Sequence, residues 1–290
     1  MTVARRGADR MWASGLLRGI VVSGIGTAAA VEVARRSPAA SGAVWVRHNH
    51  RGAEVNLVAG PISALAASIV GTASIPSPLR RPALLLGLVS GAVGLYDDVV
   101  GARSGQLADK GLRGHLHALR SGRVSTGALK TIGVVGVSIV AAGSVSRGPV
   151  DRVVAAGVMA GSANLVNLLD LRPGRAAKTS ALAAAATLSG PVGGMSAAVL
   201  GTSLGVLPAD LGEKVMLGDT GANALGALLG FRLAAGATPV ARALMLAVLV
   251  VLTAASEQVS FTRVIEATPG LRNLDGWGRL SVDAAAAAGT

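Results

Sequence analysis

The sequence predicts an all-α, polytopic integral membrane protein with about nine transmembrane helices, roughly eight to ten. The chain is 51% hydrophobic with a mean hydropathy of +0.57, which is more apolar than a soluble domain of mixed composition. Its apolar runs repeat at close to the roughly 20 residues that span a bilayer. Aromatic residues make up only 2%, whereas there are 40 glycines, and small residues let transmembrane helices pack closely.

Charge and cysteine content narrow the class further. The net charge of +12 would favour nucleic-acid binding in a soluble protein. Here the basic residues cluster in short segments between apolar runs, which is typical of loops beside anionic lipid. We therefore expect membrane lipids, and no nucleic acid, as partners. The absence of cysteine excludes disulfides and thiolate metal sites. A soluble, alanine-rich helical protein is the alternative.

The apolar runs give the helices in order. They cover about 14–34, 57–75, a run from 82 to the acidic pair at 97, 126–145, 150–169, an alanine-rich run that ends at 190, a run from there to 207, one that opens at 219, and 240–261. The first run follows several arginines, as a signal peptide does. Because Arg18 interrupts it and no small-residue cleavage site ends it, we expect a retained first helix.

The polar segments between the helices predict the topology. One side of the membrane would carry 35–51, 101–125, 170–178, 208–214 and the tail. These segments hold most of the Lys and Arg, which favours the cytoplasmic side of a bacterial plasma membrane, although the N-terminal arginines oppose it. We expect an outside N-terminus and one membrane-embedded domain over 1–290, with a cytoplasmic tail over 262–290.

Three acidic features are expected to meet on that face. Asp97 and Asp98 end the third helix, and adjacent carboxylates repel each other unless a cation or a proton relieves them. Asn167 and Asp170 are three residues apart on one side of the fifth helix, and Asp219 opens the eighth. Carboxylate and amide oxygens suit Mg²⁺ or Mn²⁺, which commonly bridge phosphates. The pattern therefore predicts a metal-dependent site at a membrane face.

Basic residues follow the acids along the chain: Lys110, Arg113, Arg172 and Arg175. Acids that hold a cation and bases that hold phosphate suit a doubly anionic substrate such as a nucleotide diphosphate. Simpler explanations exist for each part. Asp219 could only cap its helix, the basic loop could only contact lipid headgroups, and the asparagines could only join helices by hydrogen bonds.

Four motifs occur in order: Asp97-Asp98, Lys110-Gly111-Leu112, Asn167-Leu168-Leu169-Asp170 and Gly218-Asp219-Thr220-Gly221. With them, most of the chain resembles the polyprenyl-phosphate N-acetylhexosamine-1-phosphate transferase family. That family includes the phospho-N-acetylmuramoyl-pentapeptide translocase and the UDP-GlcNAc:undecaprenyl-phosphate transferases. The resemblance implies transfer of a sugar-1-phosphate from a UDP-linked amino sugar to a polyprenyl phosphate at the cytoplasmic membrane face. UMP would be released, with Mg²⁺ as cofactor and Mn²⁺ as an alternative, in cell-wall or envelope polysaccharide synthesis.

The resemblance also implies roles for the acids. Asp219 would be the principal Mg²⁺ ligand, and Asp98 would support the metal. Asp97 would deprotonate or position the lipid phosphate, so that all three are candidate catalytic residues.

Further residues would bind the nucleotide sugar and its phosphates. Asn167 and Asp170 would lie in the nucleoside pocket, where Met216 replaces an aromatic residue that stacks on uracil. Lys110 and Arg113 would contact phosphate.

Two departures from the family pattern bear on function. The chain continues after Asp170 with two arginines in place of the family's second acid, and the segment 262–278 has none of the family's late histidines. We expect Arg172 and Arg175 to bind phosphate in their place. The alternatives are a catalytically silent relative that binds lipid phosphate or an envelope-assembly partner, and a lipid flippase or transporter, which would carry its acids near mid-membrane. A homodimer is left open.

Overall fold

The computed structural model describes the backbone of residues 2–101 and 126–280, and the side chains of 13–100, 127 and 129–280. Nine helices of twelve or more residues occur in this part of the chain. They are α1 (Thr2–Arg35), α2 (Ala59–Ala73), α3 (Ser77–Tyr96), α4 (Thr126–Ala142), α5 (Pro149–Leu169), α6 (Arg175–Ala186), α7 (Gly193–Leu211), α8 (Gly218–Gly236) and α9 (Pro239–Ser256). The all-α class predicted from the sequence is confirmed.

Five helical segments are long and apolar enough to cross a membrane, and one of them runs from α3 into the residues that follow it. The segments are Ala13–Arg35, Ser77–Val100, Pro149–Leu169, Gly193–Leu211 and Pro239–Ser256. Two shorter apolar helices, Ala59–Ala73 and Leu129–Ala142, fall below that length. Length and composition therefore support a membrane protein with five candidate spans in the described residues, and the count of nine spans stays a prediction.

Short elements occupy segments that the sequence analysis treated only as polar. A 3₁₀ turn (Pro38–Ser41) leads into an antiparallel hairpin, β1 (Val46–His48) and β2 (Glu54–Asn56), in which Arg47 lies opposite Val55. Two short helices, α10 (Phe261–Ala267) and α11 (Pro269–Gly276), form part of the segment predicted to be a tail.

Helix α8 lies at the centre of the bundle. It packs against α2, α3 and α5, and almost every one of its residues is buried. Glycines make the close packing possible: a Cβ on Gly226 would lie 2.5 Å from the Ser162 carbonyl oxygen, and one on Gly230 would lie 2.6 Å from the Met159 Cα. The remaining helices surround this centre, with α1 against α7, α4 against α3 and α5, and α9 against α5.

At one end of the bundle the polar connections meet. We call this end the site face; it carries 36–58, 97–101, 170–174, 212–217 and the residues after 256. The hairpin bonds to the connection before α8: the Asn56 N–H donates to the Lys214 carbonyl at 3.1 Å, and the Met216 N–H donates to the Asn56 carbonyl at 3.0 Å. Asn49 Nδ2 also donates to Glu213 at 2.6 Å. These bonds fix the hairpin beside the N-terminus of α8.

The opposite end, which we call the far face, is held by buried arginines. Arg242 donates to Asp151 at 2.6 Å and to the carbonyls of Val145 and Ala234. It therefore joins the starts of α5 and α9 to the end of α8. Arg232 donates to the carbonyls of Thr187 and Ser189, which follow α6. Bonds of this kind satisfy helix-end carbonyls that would otherwise be unpaired.

Candidate functional site

Asp98 joins the end of α3 to the beginning of α8. Its Oδ1 accepts the Asp219 N–H at 3.1 Å, and its Oδ2 accepts the Thr220 N–H at 3.0 Å and the Thr220 hydroxyl at 2.6 Å. Unpaired N–H groups at a helix N-terminus attract a carboxylate through hydrogen bonds and the helix dipole. Asp98 therefore acts as a capping residue supplied to α8 from another helix.

Two glycines allow this close approach. A Cβ on Gly94 would lie 2.4 Å from the Asp219 carbonyl oxygen, so only glycine lets α3 pass this close to α8. Gly218 has a φ of +60°, which glycine adopts without strain, and a Cβ there would lie 2.9 Å from Asp98 Oδ2. The end of α3 continues as a single π-helical turn, Asp97–Gly101, and π turns inside helices often occur at functional sites.

Lys130 lies between the other two acids. Its Nζ is 2.9 Å from Asp97 Oδ2 and 2.5 Å from Asp219 Oδ2, and its side chain is 20% exposed. One ammonium thus balances two carboxylates that would otherwise repel each other. Lys130 was not among the residues predicted from the sequence. The sequence feature that could have identified it is a single lysine within an apolar helix, because an ionisable group there is costly and usually functional.

Asp170 ends α5 and faces the same cluster. Burial raises the pKa of its carboxyl well above the ordinary value, and the nearby carboxylates of Asp210 and Asp219 add to the rise. The nearby Gly218 backbone N–H opposes part of this rise in pKa. Its Oδ2 has no hydrogen-bond partner within the described residues. A buried, unpaired carboxyl oxygen is costly, so this atom is a candidate contact for a ligand.

Asp210, at the end of α7, is a second acid that the sequence analysis did not single out. It is buried, and its Oδ2 has no hydrogen-bond partner in the described part of the chain. Its proximity to Asp170 comes from the packing of α7, which no spacing in the sequence reveals. Asp170 and Asp210 thus each have one carboxyl oxygen without a hydrogen bond in the described residues, so hydrogen bonding is less complete on this side of the cluster.

The acids of the site fit a divalent metal only in part. Within 13–100 and 127–280, leaving out 128, no three His, Asp or Glu side chains are grouped to hold a metal ion. Asp98, a predicted ligand, directs both oxygens to the start of α8. Asp97 and Asp219 already share a cation, the ammonium of Lys130. Because Mg²⁺ often takes one or two carboxylates plus waters and substrate phosphates, these two acids fit it better than Asp98 does.

Arg175 does not have the free guanidinium that phosphate binding requires. It is 3% exposed. Its Nε and Nη2 donate to the two carboxylate oxygens of Asp275 at 2.8 and 2.9 Å, and its Nη1 donates to the Thr262 hydroxyl at 2.9 Å. These contacts argue against the predicted phosphate role, because the guanidinium already donates to groups of this chain. The role itself stays a prediction. Arg172 lies 3.8 Å from Glu266 and is partly exposed, so its role stays a prediction.

The same contacts hold the tail on the site face. Lys178 Nζ donates to the carbonyls of Asp275 and Trp277 at 2.8 and 2.5 Å, at the end of α11. Arg279 donates to Asp275 at 2.7 Å and to the Pro173 carbonyl at 2.8 Å. We call Arg175, Lys178, Asp275 and Arg279 the tail clamp. It lies directly beside the connection that follows Asp170.

The residues predicted to bind the nucleotide sugar lie at the end of α5 and before α8. Asn167 is half-buried near the end of α5, and its carbonyl accepts the Asp170 N–H. Met216 is half-buried and bonds through its backbone to the hairpin. Asn164 Nδ2 donates to the Thr253 hydroxyl at 3.1 Å, which is the helix-joining alternative. Lys110 and Arg113 lie outside the described residues.

Fold and site together define an α-helical protein with candidate membrane spans and a charged site, rich in carboxylates, at one end of its bundle. No family model matches the chain, and no curated protein matches it. The residues of the site and the motif resemblance are therefore the basis for the function proposed below.

Proposed function

We propose that this chain is a Mg²⁺-dependent polyprenyl-phosphate glycosyl-1-phosphate transferase of a bacterial plasma membrane. It would act on the cytoplasmic side and take its sugar-1-phosphate from a UDP-linked amino sugar. The observation that carries the proposal is the convergence of the motif acids: Lys130 bridges Asp97 and Asp219, and Asp98 bonds the start of α8. The motif resemblance requires these acids to meet, although Asp98 and Asp219 are more than a hundred positions apart in the chain.

The chemistry follows from the charges. An oxygen of the lipid phosphate attacks the β-phosphorus of the UDP-sugar, and the bond from that phosphorus to the α–β bridging oxygen breaks. UMP leaves with the bridging oxygen, and the sugar stays on the new lipid diphosphate. Both reactants are anionic, so alignment and charge neutralisation supply most of the catalysis.

Residues of the site fit these needs. Lys130 brings a positive charge to the place where the two phosphates meet, and Asp97 is suited to orient the lipid phosphate or take its proton. Asp219, with Asp97, would hold Mg²⁺, which supplies Lewis-acid stabilisation of phosphate oxygens when bound. Asp170 has a raised pKa and an unpaired oxygen. We infer that this unpaired oxygen contacts a polar edge of the nucleotide, such as that of uracil.

One observation favours the catalytically silent alternative. Lys130 already neutralises acids of the site, and the tail clamp already engages Arg175. A nucleotide diphosphate would need these groups to be available. A silent relative would keep these pairs permanently and would bind lipid phosphate without turnover. A transporter is disfavoured because Asp98 and Asp219 lie at helix ends, whereas transported ions are bound in broken helices near mid-membrane.

The test is UMP release by the purified full-length chain in detergent, with undecaprenyl phosphate, Mg²⁺ and a panel of UDP-sugars. The proposal expects release with at least one UDP-amino sugar, and none without the lipid phosphate. Lipid-phosphate binding without UMP release from any sugar would favour the silent relative. Thr131→Val is a control for substitutions in the site and should release UMP like wild type. The Thr131 hydroxyl bonds only to a carbonyl within its own helix, on an exposed face.

A further inference from the structure

An open groove lies beside the site, between the end of α1 and the start of α2. Its volume is about 530 Å³, within the range of pockets that bind small molecules. All but one of its lining residues are apolar, and they include Val33, Ala34, Trp45 and Ile62. The chemistry of the lining suits a hydrocarbon chain and offers almost nothing to a polar ligand.

Its walls are held in place by hydrogen bonds. The Leu57 N–H donates to the Trp45 carbonyl at 2.8 Å. Asn56 Nδ2 donates to the Ala40 carbonyl at 2.7 Å, which fixes the 3₁₀ turn against the hairpin. Alanines on α1 and on the turn leave the space between these walls open. The groove is therefore a built feature of the fold.

The hairpin connects this groove to the charged site. Arg47 follows Trp45 by two residues, and its guanidinium donates to the Asp98 carbonyl and, at 2.7 Å, to the Val46 carbonyl. No carboxylate in the described part of the chain lies within ion-pair distance of Arg47. Arg47 thus carries a charge with no carboxylate partner among the described residues, and its guanidinium donates to three backbone carbonyls, those of Ala43, Val46 and Asp98.

The groove and the guanidinium together select the ligand. A tryptophan-walled groove at the polar end of membrane helices lies at the depth where lipid chains meet headgroups. A guanidinium beside it favours a phosphate, and a doubly charged phosphomonoester more than a singly charged phosphodiester.

We propose that the groove between α1 and α2 binds the phosphate-proximal part of an isoprenyl phosphate, and that Arg47 binds its phosphate group. This inference rests on the proposed function only for the identity of the lipid as the acceptor. The chain enters beside α1, and its phosphate arrives next to Asp97. Arg47 is then a binding residue for the acceptor, separate from the acids that face the nucleotide sugar.

Binding is tested without nucleotide sugar or Mg²⁺, so that its outcome is independent of turnover. The probes are farnesyl phosphate, farnesol and inorganic phosphate, each titrated against the full-length chain in detergent and measured by native mass spectrometry. Ala30→Phe fills the groove. Ala29→Phe is the matched control, since Ala29 is the exposed neighbour on α1 that does not line the groove. Arg47→Gln removes the charge, and Arg47→Lys keeps it.

The expected pattern separates chain from phosphate. Ala30→Phe should weaken both farnesyl phosphate and farnesol about tenfold, while Ala29→Phe stays within about twofold of wild type. Arg47→Gln should weaken farnesyl phosphate about tenfold and leave farnesol unchanged, and Arg47→Lys should recover part of the loss.

Two results would overturn the inference: equal effects of Ala29→Phe and Ala30→Phe, or an equal loss of farnesol and farnesyl phosphate in Arg47→Gln. If the binding pattern holds while UMP is never released, the groove stands and the proposed enzyme activity fails. If UMP is released while the groove variants bind normally, the reverse is true.

Discussion

The acids of the site are stabilised in three ways. Asp98 bonds to backbone N–H groups, Asp97 and Asp219 share the Lys130 ammonium, and Asp170 has a raised pKa with one oxygen unpaired. Four carboxyls can therefore lie together although only one of the described lysines reaches them. It follows that Asp98 has a structural role in this arrangement, and that Asp97 and Asp219 are the pair a cation would share.

Lys130→Gln should destabilise the chain by about 2 kcal/mol, since removing one partner of a partly buried ion pair leaves the other charges uncompensated. Millimolar Mg²⁺ should then raise the melting temperature of this variant more than that of wild type, because Asp97 and Asp219 have lost the ammonium that they share. The measurement is thermal unfolding in detergent with and without Mg²⁺.

Lys214→Gln is the matched control, because Lys214 is an exposed lysine on the same face. It should unfold like wild type under both conditions. An identical Mg²⁺ response in Lys130→Gln and wild type would show that Asp97 and Asp219 do not form a cation site.

The sequence could predict the motif acids but not their partners. Asp97, Asp98, Asp170 and Asp219 carry recognisable local patterns at helix ends. Lys130 and Asp210 are single charges in apolar helices, and only the packing of α4 and α7 brings them to the cluster. The pairing of Arg175 with Asp275 could not be predicted, because the two residues are 100 positions apart and Asp275 lies in a segment with the pattern of a polar tail.

At the scale of elements, the contact between α3 and α8 depends on a missing side chain. Gly94→Ala would place a Cβ 2.4 Å from the Asp219 carbonyl, and such overpacking costs about 1–3 kcal/mol. We expect a lower melting temperature and weakened function, since both Asp98 and Asp219 would shift.

Gly136→Ala provides the control for Gly94→Ala. Gly136 lies within a helix, and a Cβ there meets open space, so the change should be neutral or stabilise the helix by up to about 1 kcal/mol. Equal melting temperatures for the two variants would contradict the proposed close approach of α3 to α8.

The tail clamp should respond to acid. Burial alone would raise the pKa of Asp275, but the hydrogen bond from Arg175 and the charges of Arg279 and Arg175 outweigh it, and the pKa lies below the ordinary value of 3.8. A lowered pKa means that the clamp stabilises the tail at neutral pH and is lost only as pH falls through that lowered value. A fluorophore on a cysteine placed at Gly270, in this cysteine-free chain, would report release of the tail.

Asp275→Asn should release the tail at neutral pH in the same assay. Glu266→Gln is the control, because Glu266 is exposed and its pair with Arg172 is long, and surface pairs contribute little. Tail release in wild type between pH 7 and 5 would contradict the assigned role of Asp275.

Long elements were predictable from the sequence and short ones were not. Each predicted run overlaps one of α1 to α9, because apolar length is a strong signal over 12 or more residues. The ends were predicted less well: α6 begins at Arg175 and α7 ends at Leu211, both within segments predicted to be polar connections, and α9 ends at Ser256 and not at 261. The strands of the hairpin contain three residues each, too few for a periodic pattern. Their pairing depends on contacts with the segment before α8, which lies far along the chain.

At the scale of the whole molecule, the structure separates a site face from a far face, and the proposed function requires the site face to be cytoplasmic. The chain has no cysteine, so single cysteines can be labelled without background. Gly42→Cys lies on the site face and Gly148→Cys on the far face, and both positions are exposed.

In intact cells, a membrane-impermeant maleimide should label Gly148→Cys and leave Gly42→Cys unlabelled until the membrane is permeabilised. Labelling of Gly42→Cys in intact cells would place the acids outside, where nucleotide sugars are not supplied by the cytoplasm. The candidate spans alone do not fix this orientation, because arginines occur near both ends of the bundle.

We propose that the protein transfers a sugar-1-phosphate to a lipid phosphate with the acids gathered around Lys130. The most direct measurement of this transfer is UMP release from UDP-amino sugars by wild type and by Asp219→Asn, in the same detergent, with undecaprenyl phosphate and Mg²⁺. We predict release by wild type, a loss of at least about a hundredfold in Asp219→Asn, and abolition by a chelator. Equal UMP release by wild type and Asp219→Asn, or none by wild type while it binds the lipid phosphate, would contradict the claim.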